Sequence, residues 1–462
     1  NSRISLSNND SGTSNTIFGK SAGASLDAGS NYNVFIGEAV SDASMNDALY
    51  NTGVGYNAMS ALTQGDSNTA VGKDALLALN TGGSDTVLGA LAGQALTDGS
   101  GNTFLGKGTG YGCVSPESCV AIGEAAMEAN ATQTGTVAVG FSALKALTSG
   151  AGNTAVGYTA GTALTTGARN IAVGYQSMDA ADGAESDNIA IGYDALGNMN
   201  NDSSEKNIAI GNYTGAAFGT ANVAKTILIG NGAGTNINHT DATGTVAIGH
   251  SALTSLTSGE RNTALGYHAG LYTTTGADDC IAVGYGALGG NWTTSASPRN
   301  IAIGNYAMDG VLVTAVDNLA IGYNALTDMT SGDENVCIGN NSGANITSGR
   351  YNTMIGHSAG EVSLLVGKTV IIGNVAAANG AMTADADGTV AIGYAAGLSL
   401  TEGIGNVAVG AYALDANATS DYSTAVGTSS LTAVNADGDG LNVGMGWVAG
   451  NAITSGTSNT VV

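Results

Sequence analysis

Proline, cysteine, aromatic residues and positive charge are all scarce in this sequence, and each scarcity excludes something. Proline occurs 2 times and cysteine 4 times in 462 residues, aromatics are 5% and charged residues 10%. Two prolines exclude collagen, which needs proline throughout and glycine at every third position. Low charge beside a 43% apolar fraction excludes a disordered chain. Only 12 basic residues face 36 acidic ones, and a net charge of -24 repels phosphate backbones, so no nucleic-acid partner is expected. The acidity reads as a solubilising surface that resists lateral clumping. No apolar run reaches ~18 residues, so no membrane partner is expected within this segment. The start has no initiator Met or signal-like apolar region. The end, Asn459-Thr460-Val461-Val462, is a repeat motif cut before its glycine, so the sequence reads as a segment of a larger or processed protein.

Glycine is abundant, at 72 residues, and it is periodic. Calling the recurrent glycine position 0, it returns 25 times from Gly19, through Gly157, Gly174 and Gly192, to Gly446. Of the 24 gaps, 13 are 17 residues and the others 18 to 20. Position −1 is Val or Ile in 20 units, as at Val156, Val173 and Ile191, and position −4 is Asn in 16, as at Asn153, Asn170 and Asn188. Position +3 is Ala in 19 units, and +7 is often aliphatic, as at Leu147, Leu164 and Leu256.

Such a unit is a poor helix and a good coil of a solenoid. The fold predicted is all-β: a parallel β-roll of about 25 coils of 17–20 residues, with 1–14 as lead-in and 15–462 as one continuous solenoid. Each coil is expected to hold two short strands and two turns. Stacked ~4.8 Å apart, the Asn residues would hydrogen-bond from rung to rung and the glycines would allow tight corners. Side chains alternate along a strand, so Ile189 and Ile191 point one way and Ala190 the other. The expectation is that Val156, Val173 and Ile191 line the interior. The small face with Ala172, Ala190 and Ala209 would then pack on neighbouring chains as a parallel homotrimer.

No catalytic constellation stands out, so neither an enzyme nor a cofactor is expected. His250 and His357 share a ladder position but stand six rungs, ~29 Å, apart. Asn435, Asp437, Asp439 and Gly440 match the opening of a calcium loop without its closing acid, and Asp385 with Asp387 forms a similar cluster. Both read as weak metal candidates, better explained as solvated turns. Cys113 and Cys119 flank the loop 114–118 and are the disulfide candidate, whereas Cys280 and Cys337, three rungs apart, are too distant to pair. Thr148, Thr165, Thr257 and Thr347 occupy matching positions and suggest an ice-binding column. It is interrupted and lacks paired rows, which makes ice binding an unlikely reading.

The segments Asn188-Ile189-Ala190-Ile191-Gly192-Tyr193-Asp194-Ala195-Leu196 and Thr245-Val246-Ala247-Ile248-Gly249-His250-Ser251-Ala252 resemble head repeats of trimeric autotransporter adhesins. Similar Asn-Thr-Ala-Val-Gly repeats occur in shafts of bacteriophage tail fibres. The resemblance implies a left-handed β-roll with three chains side by side, on a cell or virion surface. The function expected is an extracellular structural or adhesive fibre segment, with a phage tail-fibre shaft or a self-assembling filament as alternatives. Its partners would be copies of itself and a host-surface, matrix or glycan receptor.

Overall fold

The computed structural model of this chain describes residues 14–129, 131–292, 297–434 and 438–462. The chain is an all-β parallel solenoid that divides into two compact units, Asn1–Thr226 and Ile227–Val462. The first holds twelve rungs, from strand Thr16–Phe18 to strand Ile208–Ile210, and the second fourteen, from Ile227–Ile229 to Thr460–Val461. Strands stack in parallel without stagger: Ile171 pairs with Ile189, Ala172 with Ala190 and Val173 with Ile191. The glycine period therefore counts the rungs.

One strand per coil forms, where two were expected. Remnants of a second are short, such as the pairing of Ser420–Asp421 with Gly438–Asp439 and the bridges Ser100–Glu117 and Glu117–Thr134. The cause is local backbone geometry. Positions +2 and +4 adopt left-handed φ, as at Asp194 (55°) and Leu196 (51°), and that breaks an extended run. Rung-to-rung hydrogen bonding continues through these turns regardless. Asp194 N–H donates to Tyr175 O at 3.1 Å and Leu196 N–H to Thr214 O at 3.0 Å. Neighbours on both sides thus hold residues that would otherwise leave this strained region.

The strand faces are the reverse of those expected. Ala155, Ala172, Ala190 and Ala209 are buried, whereas Val156 is 37% and Ile191 36% exposed, with Val173 half-buried. Asparagine sets the direction. Asn153, Asn170 and Asn188 at position −4 are buried and spend their amides on the stack. Asn170 N–H donates to Asn153 Oδ1 at 2.8 Å, and Asn170 Nδ2 donates to Asn153 Oδ1 (3.1 Å) and to Glu185 O (2.7 Å). With −4 inward, −2 must also be inward, and −3 and −1 outward. The buried amides are tolerated because the stack satisfies them, and the turn side chains at +4 and +7 supply the apolar core, so −2 can be Ala.

The large interior side chains come from the turns. Leu147, Leu164 and Leu256 at +7 are buried as expected, and position +4 adds Leu144, Met178, Leu196 and Leu253. Position +4 lies across the core from −2, and a large residue at −2 meets a small one at +4. Ala190 accompanies Leu196 and Ala172 accompanies Met178, but Phe104 accompanies Gly110 and Met354 accompanies Gly360. A Cβ on Gly110 would lie 2.6 Å from the Phe104 ring, and one on Gly360 2.5 Å from Met354 Sδ. The core glycines answer to a different neighbour. Gly157, at φ 145°, would place a Cβ 2.2 Å from Gly174 O, and Gly174 and Gly192 meet the next rung's carbonyl in the same way. Any side chain there separates the rungs.

Candidate functional surfaces

Each unit presents three parallel features on its outside. The strand face carries positions −3 and −1, which are Thr, Val, Ile, Leu, Phe or Met on every rung and never charged. Individual residues range from half-buried, as Val173 is, to exposed, with Ile171 at 37% and Leu88 at 52%. Soluble proteins rarely leave so long an apolar strip open.

An aromatic ladder runs beyond the glycine corner at position +1. Phe141, Tyr158, Tyr175 and Tyr193 stack at successive centroid distances of 5.2, 5.0 and 5.4 Å. In the second unit His250, Tyr267 and Tyr285 repeat this at 4.9 and 5.4 Å. Tyr193 faces out, as expected.

A charged ladder occupies the opposite edge at position −5. Arg169 grips Asp187 through two hydrogen bonds, Nε to Oδ1 at 2.6 Å and Nη2 to Oδ2 at 2.9 Å. Arg261 with Asp279 and Arg299 with Asp317 repeat the geometry. The hydrogen bond from Arg261 holds the Asp279 carboxyl below its usual range, and the charges of Arg261 and Arg299 act the same way. Exposed pairs add little stability, but alternating sign favours one register. Sequence reasoning missed this column, although its signal was available: Arg261, Asp279, Arg299 and Asp317 each stand just before the −4 residue.

No family model matches this chain, and no curated protein matches it either. Between the three surfaces lie further residues with polar or reactive side chains.

Those residues include the expected metal and disulfide candidates. Asn435 and Asp437 lie outside the described residues, and Asp439 is exposed. No group of three His, Cys, Asp or Glu among the described residues could hold a metal ion. Asp387 accepts the Gly367 N–H at 2.7 Å, which ties it to its neighbouring coil. His250 stands beside His268, with ring centroids 5.8 Å apart, one rung away.

Cys113 and Cys119 are free, buried thiols, where a disulfide was expected. The chain places them in different columns. Cys113 fills the +7 core position and donates to Met127 O at 3.3 Å, while Cys119 replaces the ladder Asn and donates to Gln133 O at 3.5 Å. Cys280 also replaces the ladder Asn and donates to Ser297 O at 3.5 Å. The hydroxyls of Thr148, Thr165, Thr257 and Thr347 are likewise committed, each donating to a carbonyl of the following coil.

Proposed function

We propose that this chain is a segment of an extracellular structural or adhesive fibre that associates side by side with copies of itself. The Val/Ile strand face carries the reading. The first unit alone sets two uncharged side chains on this face in each of twelve rungs, within the ~20–30 residues a side of a standard interface. Charge supports a like partner on that face. The chain bears -24 overall, yet no charged residue stands at −3 or −1, so two copies can approach there without burying a charge. The alanine face, which would have been the contact, is spent on the coil interior. Three is the number of chains that the resemblance to adhesin heads and tail-fibre shafts implies.

Equilibrium sedimentation of the wild type and of Val156→Lys/Val173→Lys/Ile191→Lys tests the reading. A wild-type trimer that becomes a folded monomer in the variant supports it. A wild type that stays monomeric at about 100 times a micromolar dissociation constant would sink it.

A further inference from the structure

A slot opens on the second unit where one rung lacks the side chains that its neighbours carry. Its floor is Gly286 and Gly289. The preceding rung supplies His268, Leu271 and Tyr272, the following rung Tyr306 and Asp309, and Tyr285 closes one end around a cavity of about 260 Å³. The glycines make the space. A Cβ on Gly289 would lie 2.8 Å from Asp309 Oδ1, and one on Gly286 3.3 Å from the Tyr306 ring.

The walls have a particular chemistry. Tyr285 and Tyr306 meet at 72° with centroids 5.1 Å apart, and Tyr306 stands at 89° to Tyr323 beyond it. His268 is tilted 34° to Tyr285 at 6.3 Å. Asp309 is half-buried and makes no hydrogen bond or ion pair with another described residue. Burial alone pushes its carboxyl up to about 6, with no donor to offset the loss of water. A carboxylate in this condition gains from a cation that brings little hydration of its own.

We propose that this slot binds a compact organic cation, a methylated ammonium group, with Asp309 as counter-charge and the rings of Tyr272, Tyr285 and Tyr306 as π walls. Electron-rich ring faces beside one carboxylate attract a weakly hydrated cation. A pyranose asks instead for one open flat ring face, and here Tyr306 crosses Tyr285, whose other neighbour Tyr267 stacks on it. A metal ion asks for several oxygen ligands, and the slot offers one carboxylate. The surrounding charge of -24 concentrates cations near the surface. This site goes beyond the fibre reading and is independent of it. The slot lies past the glycine corner from the strand face, so binding is expected in wild type and in the lysine variant alike.

Titration of the whole chain with tetramethylammonium chloride, followed by NMR of the tyrosine rings, tests this, with sodium chloride and glucose as controls. The expected result is a saturable shift with tetramethylammonium alone, weakened about tenfold in Asp309→Asn and also weakened in Tyr272→Ala. Both changes are at partly exposed positions, and circular dichroism checks the fold. Binding should also weaken as pH falls through about 6, where Asp309 takes up a proton. His268, the other group in the slot that titrates near this range, is held below its usual pKa by burial and by His250. Its protonation would weaken cation binding in the same direction, so the part of the pH response lost in Asp309→Asn is the part that belongs to the carboxylate. No saturable shift, equal binding by Asp309→Asn, or an equal response to glucose would each overturn the proposal.

Discussion

Asp85 shows how much depends on a single atom in the asparagine column. It replaces the −4 Asn and still accepts from Asn102 N (2.8 Å) and Asn102 Nδ2 (2.9 Å), both through Oδ1. Its Oδ2 is buried without a partner, and burial raises the carboxyl from 3.8 to about 6 despite the Asn102 bonds. An acid whose folded pKa lies above its unfolded one costs stability as pH rises. The penalty is absent below pH 4, grows between the two values and is complete above 6. Asp85→Asn restores the donor and removes the charge. It should add about 2–3 kcal/mol at pH 7.5 and almost nothing at pH 4, measured by urea unfolding of both proteins at each pH. The thiols give a second check at this scale. Burial pushes Cys113 and Cys280 up to about 12, which suppresses the reactive thiolate. Iodoacetamide should leave all four cysteines unmodified in the native protein and label all four after unfolding without reductant. If Cys113 and Cys119 stay unlabelled after unfolding, they form the bridge that their spacing suggested.

At the scale of one coil, period and register could be read directly because glycine, Asn and β-branched residues recur at fixed spacing. The alternation of Ile189, Ala190 and Ile191 was readable too. Which side faces inward was not. Hydrophobicity alone points Ile inward, but the core is already filled by turn residues such as Leu196, and Asn188 on the inward face is satisfied by its neighbours. The second strand was misread for a related reason: the sequence between positions +2 and +7 is apolar enough for a strand, yet Leu196 and its equivalents take left-handed φ. Reversal of the faces changes the expected mutational outcome. Ala190→Asp should destabilise by several kcal/mol through an unpaired buried charge, while Ile191→Asp leaves the coil folded, as thermal melts of the two will show. The size exchange across the core gives a sharper test. Ala190→Phe alone should cost about 1–3 kcal/mol through overpacking, and Leu196→Gly alone about 2–5 kcal/mol through a void. Combined, they recreate the Phe104–Gly110 pairing and should cost less than their sum. Chemical denaturation of the two singles and the double measures the coupling.

For the whole molecule, the sequence revealed architecture far better than role, since a repeat explains its own residues and leaves few to signal function. The strand face, the aromatic slot and the charged ladder emerge only when rungs are stacked, because residues 17 to 20 apart in sequence become neighbours. If copies associate through the strand face as proposed, the melting temperature should rise with protein concentration in the wild type and not in the lysine variant. Differential scanning calorimetry across a hundredfold dilution series will separate the two. The pairing of positions −2 and +4 bears lastly on how such a gene can grow. Coils look interchangeable, so recombination between them should lengthen or shorten the protein freely. Yet a crossover between Phe104 and Gly110 that imported Leu196 in place of that glycine would join a large ring to a large aliphatic. The reverse junction, alanine with glycine, already occurs at Ala155 with Gly161 and at Ala209 with Gly215, so only the first direction is barred. Breakpoints in viable chimaeras should therefore avoid that interval and fall in the outer turns, where coils already differ in length. What is inherited intact is a pair of residues, not a coil.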